Sequence, residues 1–210
     1  MSRLKVLLLN GSTNSEGNTK EVLNIAAEEL KRQGVDSEVV WIGPNRIASC
    51  RLCSRCRGDG DCVIEDTVNE FTRKARYADG FVFAAPSHRI KTEGSIASFL
   101  GRCFFSNGGS FRLKPAALLS LALRSNDAGG RGQLNSFFFD AEMPIIASHF
   151  WNLKYTGSDV DQLRRDTTGV NTVCNIMKNM VYFIECAEAG REKGVVMPEK
   201  PRSLFDGWKM

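Results

Sequence analysis

The chain has 210 residues, of which 42% are apolar and 25% charged, with seven cysteines and a formal net charge of +4. That composition is ordinary for one globular domain large enough to bury its own core. The mild charge comes from no long basic block, so neither nucleic acid nor a membrane surface is an expected partner.

Near the start, Val6 to Leu9 are the only four consecutive apolar residues before a polar turn. A secretory core needs roughly 7–15 apolar residues and a membrane helix about 20, so residues 4–9 read as a buried strand. The expected location is therefore cytoplasmic, where cysteines stay reduced and serve as free thiols or metal ligands. Residues 18–33 carry Val22, Leu23, Ile25, Ala26 and Leu30 on one helical stripe, with Gly34 as a stop. Residues 37–42 predict a second strand, and a cysteine-rich insert at 43–65 follows.

Residues 66–78 predict a helix capped by Asp66, with Phe71, Ala75 and Ala78 inward. A third strand spans 80–85 and stops at Pro86, and a helix covers 95–105. The strongest strand signal is 116–123, followed by a helix at 132–141, a fifth strand at 144–147 and a last helix at 168–187. Residues 1–190 are thus one domain, and 191–210 a tail whose Leu204, Phe205 and Trp208 are too apolar to be wholly solvated. After the fifth strand, His149, Phe150, Trp151 and Tyr155 suit ordinary packing, with an interface or substrate wall as the alternative.

Near-continuous apolar strands between helices predict an α/β fold: a doubly wound five-stranded parallel sheet with helices on both faces. The natural strand order is 2-1-3-4-5. Ligands of such sheets sit beyond the carboxyl ends of the strands, so the functional residues are expected after strands one, three and four.

After strand one, residues 10–19 read Asn-Gly-Ser-Thr-Asn-Ser-Glu-Gly-Asn-Thr and run into a helix. Ser12, Thr13, Asn14, Ser15, Asn18 and Thr19 all carry donors for phosphate oxygens, and a helix N-terminus favours an anion. A Walker loop would need four residues between its glycines and then a lysine; here there are five, and then Asn18. A hydroxyl-rich loop without lysine suits one terminal phosphate. The alternative is a capped polar turn that binds nothing.

The insert contains Cys50, Cys53, Cys56 and Cys62, a Cys-x2-Cys-x2-Cys-x5-Cys run with a turn at Gly58 and Gly60. Zinc more often uses two separated pairs, whereas this compact run is close to a ferredoxin motif without its final proline. It suits a [4Fe-4S] cluster, with Arg51, Arg55 and Arg57 placed to offset its negative charge. Free thiols and adventitious zinc are the alternatives. Cys103, Cys174 and Cys186 fall in helical patterns and read as small core residues.

The loop around Gly11-Ser12 and Gly17-Asn18-Thr19 resembles the FMN-phosphate loop of the NADPH-dependent FMN reductase and iron–sulfur flavoprotein group, within the flavodoxin-like superfamily. The cysteine run with Val63-Ile64-Glu65-Asp66 resembles the cluster segment of the iron–sulfur flavoproteins. The likeness runs from residue 4 to about 150, and Asn14 stands where that family commonly has a basic residue.

The resemblance implies FMN as cofactor, its ring flanked by the segment after strand three: Pro86, Ser87, His88 and Arg89. Pro86 matches the family pattern, while His88 replaces a common tyrosine. A histidine there can stack on the ring or pass a proton, or be only a solvated loop residue. Phe99-Leu100-Gly101-Arg102 resembles the family's Phe-Ile-Asp-Arg, with the acid lost. After strand four, Gly129 and Gly130 allow close backbone approach, and Arg124 and Arg131 are candidates for stabilising reduced flavin. For Arg131 the alternative is a surface charge at a helix start.

The expected function is an FMN-dependent oxidoreductase, as an iron–sulfur flavoprotein that relays electrons between the cluster and FMN. Its partner would be a ferredoxin-like protein or a small-molecule acceptor, and its assembly a homodimer or homotetramer, as the resemblance implies. An NAD(P)H-dependent FMN, quinone or nitro reductase without a cluster is the second reading. An electron carrier with no small substrate is the third, and a colourless, zinc-stabilised interaction module the fourth. No side-chain nucleophile or acid/base triad stands out.

Overall fold

The structure is a computed structural model, and it describes residues 3–56, 60–88, 91–92, 94–122, 128–148, 153–154 and 160–199. Strand β1 (Lys5–Asn10) lies between β2 (Asp36–Trp41) and β3 (Gly80–His88), parallel to both, and β5 (Ala116–Ala122) lies parallel to the other side of β3. A two-residue β4 (Lys91–Thr92) turns back on β3 in antiparallel pairing.

Four long parallel strands therefore run in the order β2-β1-β3-β5, and the full fifth strand expected at 144–147 is not formed. Only Ile145 makes a bridge, to Ala116, and the sheet's last position holds the two-residue β6 (Leu153–Lys154) beside the far end of β5. Residues 144–147 are apolar enough for a strand, but they reach only the first residue of β5. One paired residue is too short a ladder to propagate.

Period-two alternation sends β1 into two cores. Val6 and Leu8 pack with Val22, Leu23 and Ala26 of α1 (Asn18–Arg32) and Met177 and Met180 of α6 (Thr167–Glu192). Leu7 and Leu9 face the other way, towards α2 (Thr67–Ala75), α3 (Gly94–Asn107) and α4 (Ala128–Asp140). There Phe71 meets Phe99 edge-on at 5.4 Å, and Phe81 meets Phe111 at 4.9 Å. Both faces of the sheet are covered, as near-continuous apolar strands require.

Local chemistry sets the helix ends. Gly34 takes φ +76, and the bonds Val35 N–H to Leu30 O (2.9 Å) and Gly34 N–H to Lys31 O (3.1 Å) close α1 in a Schellman motif. Asp66 caps α2 by accepting from Val68 N–H at 3.0 Å. A short α5 (Val160–Arg165), without a clear sequence signal, ties Arg164 to Glu28 at 3.0 Å and also to Glu21. The last helix runs past residue 187 to Glu192, and Arg112 donates to Pro198 O at 2.8 Å. Leu204, Phe205 and Trp208 lie outside the described residues. Cys103 is buried as expected, whereas Cys174 is half-buried, and Cys186 is exposed because it falls on the outer stripe of α6.

On the edge of the sheet, Glu38 pairs with Lys5 at 2.6 Å and with Lys74 at 2.8 Å. Lys5, then Lys74, hold the Glu38 carboxyl below its ordinary 4.5. A depressed carboxylate contributes stability above its unfolded pKa and loses it as pH falls through the folded one. These groups are about one-third exposed, so Glu38→Gln should cost at most about 1 kcal/mol at neutral pH. Urea unfolding should show that difference shrinking by about pH 4 and vanishing in stronger acid.

Candidate functional site

The segments after β1, β2, β3 and β5 all leave the carboxyl edge of the sheet. The first is drawn tight against β3: Gly11 N–H donates to Ala84 O at 2.8 Å. Within it, side-chain oxygens take successive backbone donors. Asn10 Oδ1 accepts from Ser12 N–H (3.1 Å), Ser12 Oγ from Asn14 N–H (3.1 Å), and Asn14 Oδ1 from Glu16 N–H (3.0 Å). Three local turns of this kind curl the chain into a compact loop.

Ser12 and Thr19 are buried, Thr13 and Asn18 half-buried and Asn14 exposed. The α1 N-terminus has Gly17 as its N-cap and no side-chain cap, so its first donors meet the loop without an internal acceptor. The Trp41 indole N–H at the end of β2 donates to Ser12 O at 2.8 Å and pins the loop from the neighbouring strand. Trp41 escaped the sequence reading because it ends a strand as an ordinary aromatic; nothing local shows that its N–H reaches back 29 residues.

The second segment of interest extends further than expected. β3 does not end before Pro86 but continues through Ser87 to His88. β1 stops at its pairing of Asn10 with Ala84, so the next residues of β3 form an edge where a proline is tolerated. Ser87 is buried, and its Oγ has no hydrogen-bond partner among the described residues. A buried hydroxyl at the ligand-binding edge, left unpaired by the protein, fits a polar ligand atom. The backbone of His88 pairs with Lys91, while Arg89 lies outside the described residues.

Arg124 also lies outside the described residues. Gly129, Gly130 and Arg131 fall in the first turn of α4, which starts at Ala128 rather than at residue 132. The glycines therefore belong to a helix start instead of a loop. They still offer backbone donors, because the first turn of a helix has no internal acceptors for them.

The third segment carries the four cysteines. Leu52 and Ser54 adopt φ +52 and +57, the left-handed region, and curl residues 50–56 back on themselves. Leu52 N–H donates to the Cys50 sulfur at 3.4 Å. Cys56 is buried at 7% exposure, Cys50 and Cys62 are half-buried and Cys53 is exposed. Burial pushes the Cys56 thiol up.

Among the described residues, no three His, Cys, Asp or Glu side chains converge tightly enough for a single metal ion. A four-iron cluster takes one thiolate per iron and so spreads its ligands wider than one ion does. The donor set of four soft sulfurs on one curled loop fits the larger group.

The cysteine loop is anchored from beneath. Asn69 of α2, fully buried, accepts from Cys62 N–H and donates to Cys62 O, both at 2.9 Å. Ser49 meets Ser98 of α3 at 3.0 Å, and Arg73 reaches Asp61 at 2.8 Å. Arg102 of α3 pairs with Asp66 at 2.5 Å. Burial alone would lower the Arg102 pKa; Asp66 and then Cys62 outweigh it and leave it raised. Asn69 was missed, although a polar residue beside the buried stripe of Val68, Phe71, Thr72 and Ala75 is a signal of internal bonding.

A groove of 510 Å³ lies elsewhere, at the amino end of β2, lined by Arg3, Glu28, Asp36 and Arg164 among others. Its charges largely satisfy one another, Arg3 with Asp36 at 3.1 Å and Arg164 with Glu28, and among the described residues no orphaned buried polar side chain lines it. No described helix is long and apolar enough to cross a membrane.

The sequence profile of the family described as NADPH-dependent FMN reductase matches residues 4–157. An iron-sulfur flavoprotein of Methanosarcina thermophila is 24% identical over 196 residues, covering 90% of this chain and 100% of that protein. Among solved structures, RosB with a bound intermediate, 8-demethyl-8-formylriboflavin-5'-phosphate, superposes with a TM-score of 0.67 at 16% identity, covering 98% of this chain and 95% of RosB. A flavodoxin from the domain Archaea superposes with a TM-score of 0.58 at 11% identity, covering 87% and 99%. At these identities the two structures attest the fold alone, which is flavodoxin-like.

Proposed function

The chain belongs to the NADPH-dependent FMN reductase family and is an FMN-dependent oxidoreductase, and from that premise we propose that it is an iron–sulfur flavoprotein, relaying electrons between FMN and a [4Fe-4S] cluster. The observation that carries this reading is the cysteine loop: four thiols on a backbone curled through two left-handed residues, with an N–H already directed at one sulfur. Idle cysteines would give no reason for that strain or for the anchors from α2 and α3.

In this reading Cys50, Cys53, Cys56 and Cys62 ligate the cluster. Ser12, Thr13, Asn14, Asn18 and Thr19 hold the FMN phosphate at the start of α1, where no side chain caps the helix. Pro86, Ser87, His88 and Arg89 would flank the ring, and Arg124, Gly129, Gly130 and Arg131 would serve its polar edge. When bound, FMN exchanges hydride or single electrons and the cluster single electrons, so the chemistry belongs to the cofactors. The protein places them, excludes water and sets the local charge. Its electron partner is a ferredoxin-like protein or a small-molecule acceptor, with NAD(P)H as the alternative donor. It works in the reducing cytoplasm as a homodimer or homotetramer.

Anaerobic purification followed by assay of flavin, iron and acid-labile sulfide tests the proposal. About one FMN, four iron and four sulfide per chain are expected. FMN without iron, even after reconstitution, overturns the cluster and leaves an NAD(P)H-dependent reductase. Neither cofactor, with no FMN uptake on titration, overturns the whole reading.

Ser87→Ala gives a sharper check on the flavin site. Removing an unpaired buried hydroxyl should leave the flavin-free protein as stable or up to about 1 kcal/mol more stable, while weakening FMN binding about threefold to tenfold. Thermal unfolding without FMN and a fluorescence titration with it read the two effects. Affinity unchanged in the variant would remove Ser87 from the site.

A further inference from the structure

Arg102 projects from α3 with no side-chain exposure, an unusual place for a permanent charge. Its Nη1 donates to Asp66 Oδ2 at 2.5 Å and towards Ala48 O at 3.5 Å; its Nη2 donates to Ile64 O at 2.7 Å and Asp66 Oδ1 at 3.1 Å. Ala48 stands two residues before Cys50, and Ile64 two residues after Cys62. One planar fork thus gathers both shoulders of the cysteine loop. Its Nε is buried with no hydrogen-bond partner among the described residues, and the guanidinium lies within interaction range of the Cys62 thiol.

Pairing with Asp66 alone would need neither carbonyl contact. Of the sequence-adjacent cations, Arg51 and Arg55 are exposed, where water and salt screen them, and Arg57 lies outside the described residues. We propose that Arg102 is the positioning residue of the metal-binding loop, its fork clamping Ala48 and Ile64 together and its fixed positive charge offsetting the negative cluster beside Cys62. The charge half of this inference rests on the iron–sulfur reading above. The clamp half concerns the loop itself.

Two substitutions separate the halves. Arg102→Lys keeps the charge and loses the fork, and Arg102→Gln loses both. Hydrogen–deuterium exchange on cluster-free protein should rise about tenfold over residues 48–64 in both variants, with the β1 and β3 amides unchanged. In reconstituted protein only Arg102→Gln should lower the cluster potential, by about a tenfold shift in the one-electron equilibrium, about 59 mV. FMN content should stay at the wild-type level in both.

If Arg102→Gln does not fold, the double variant Arg102→Gln/Asp66→Asn leaves no stranded carboxylate and keeps a capping side chain on α2, and read against Asp66→Asn alone it supplies the comparison for the arginine charge. Unchanged exchange over 48–64 in both variants overturns the clamp. A potential unchanged by loss of the arginine, in Arg102→Gln against wild type or in the double variant against Asp66→Asn, overturns the charge role. If the wild type takes up no iron, the iron–sulfur reading and the charge role fall together, and the exchange result decides the clamp alone.

Discussion

Serine in place of Cys56 is expected to strip the protein of iron and sulfide, by tenfold or more relative to wild type, and to leave its FMN in place. Cys56 is the one buried member of the four, at 7% exposure, while Cys53 opens to solvent. A cluster ligated from the rim alone would lose the contact that sets its depth. Serine is nearly isosteric, so the fold has little reason to change, but its hydroxyl is a hard and weakly acidic ligand where iron–sulfur chemistry calls for a soft thiolate.

Binding must displace the Cys56 proton against burial, which raises that thiol. Only a strong metal–thiolate bond offsets such a cost. Iron, sulfide and flavin per chain, measured on the Cys56→Ser variant beside Cys174→Ser on the distant α6, give the comparison. Full iron in the Cys56 variant would move the cysteine loop to another role. Loss of iron from both variants would point to general instability instead of lost ligation.

What could be read along the chain was what local chemistry decides. The stripe of α1, its stop at Gly34 and the Asp66 cap are contained within a few residues of sequence, and the structure repeats them. The cysteine spacing and the hydroxyl-rich loop were legible for the same reason. What escaped depends on partners far away. Trp41 acts on Ser12, Arg102 on residues 36 to 54 positions earlier, and nothing near either residue announces it. The strand signal at 144–147 was genuine as a pattern of apolar residues. Pairing needs a neighbour along the whole length, however, and only Ala116 is there to supply it. β3 passing Pro86 is the converse case: a residue that usually ends a strand is harmless where β1 has already stopped.

Alanine at Gly11 should cost about a hundredfold in FMN affinity, the second large effect. A methyl group there would stand 2.9 Å from Ala84 O and 3.0 Å from the Ile96 side chain. Ile96 can shift, but the carbonyl belongs to a central strand and already accepts the Gly11 N–H at 2.8 Å. The loop must therefore retreat from β3, and the retreat carries with it Ser12, whose carbonyl holds Trp41 and whose hydroxyl holds Asn14 N–H. Each contact depends on the one before it, so a displacement of under an ångström at Gly11 disperses donors that must converge on one phosphate. The strain should lower folding stability by about 1–3 kcal/mol, as overpacking does elsewhere. Titration with FMN and with riboflavin, which lacks the phosphate, separates the causes. If the loop serves the phosphate, FMN loses its advantage over riboflavin in the variant. If both flavins weaken alike, Gly11 matters for the fold of the edge as a whole, and the phosphate site must be sought in another loop.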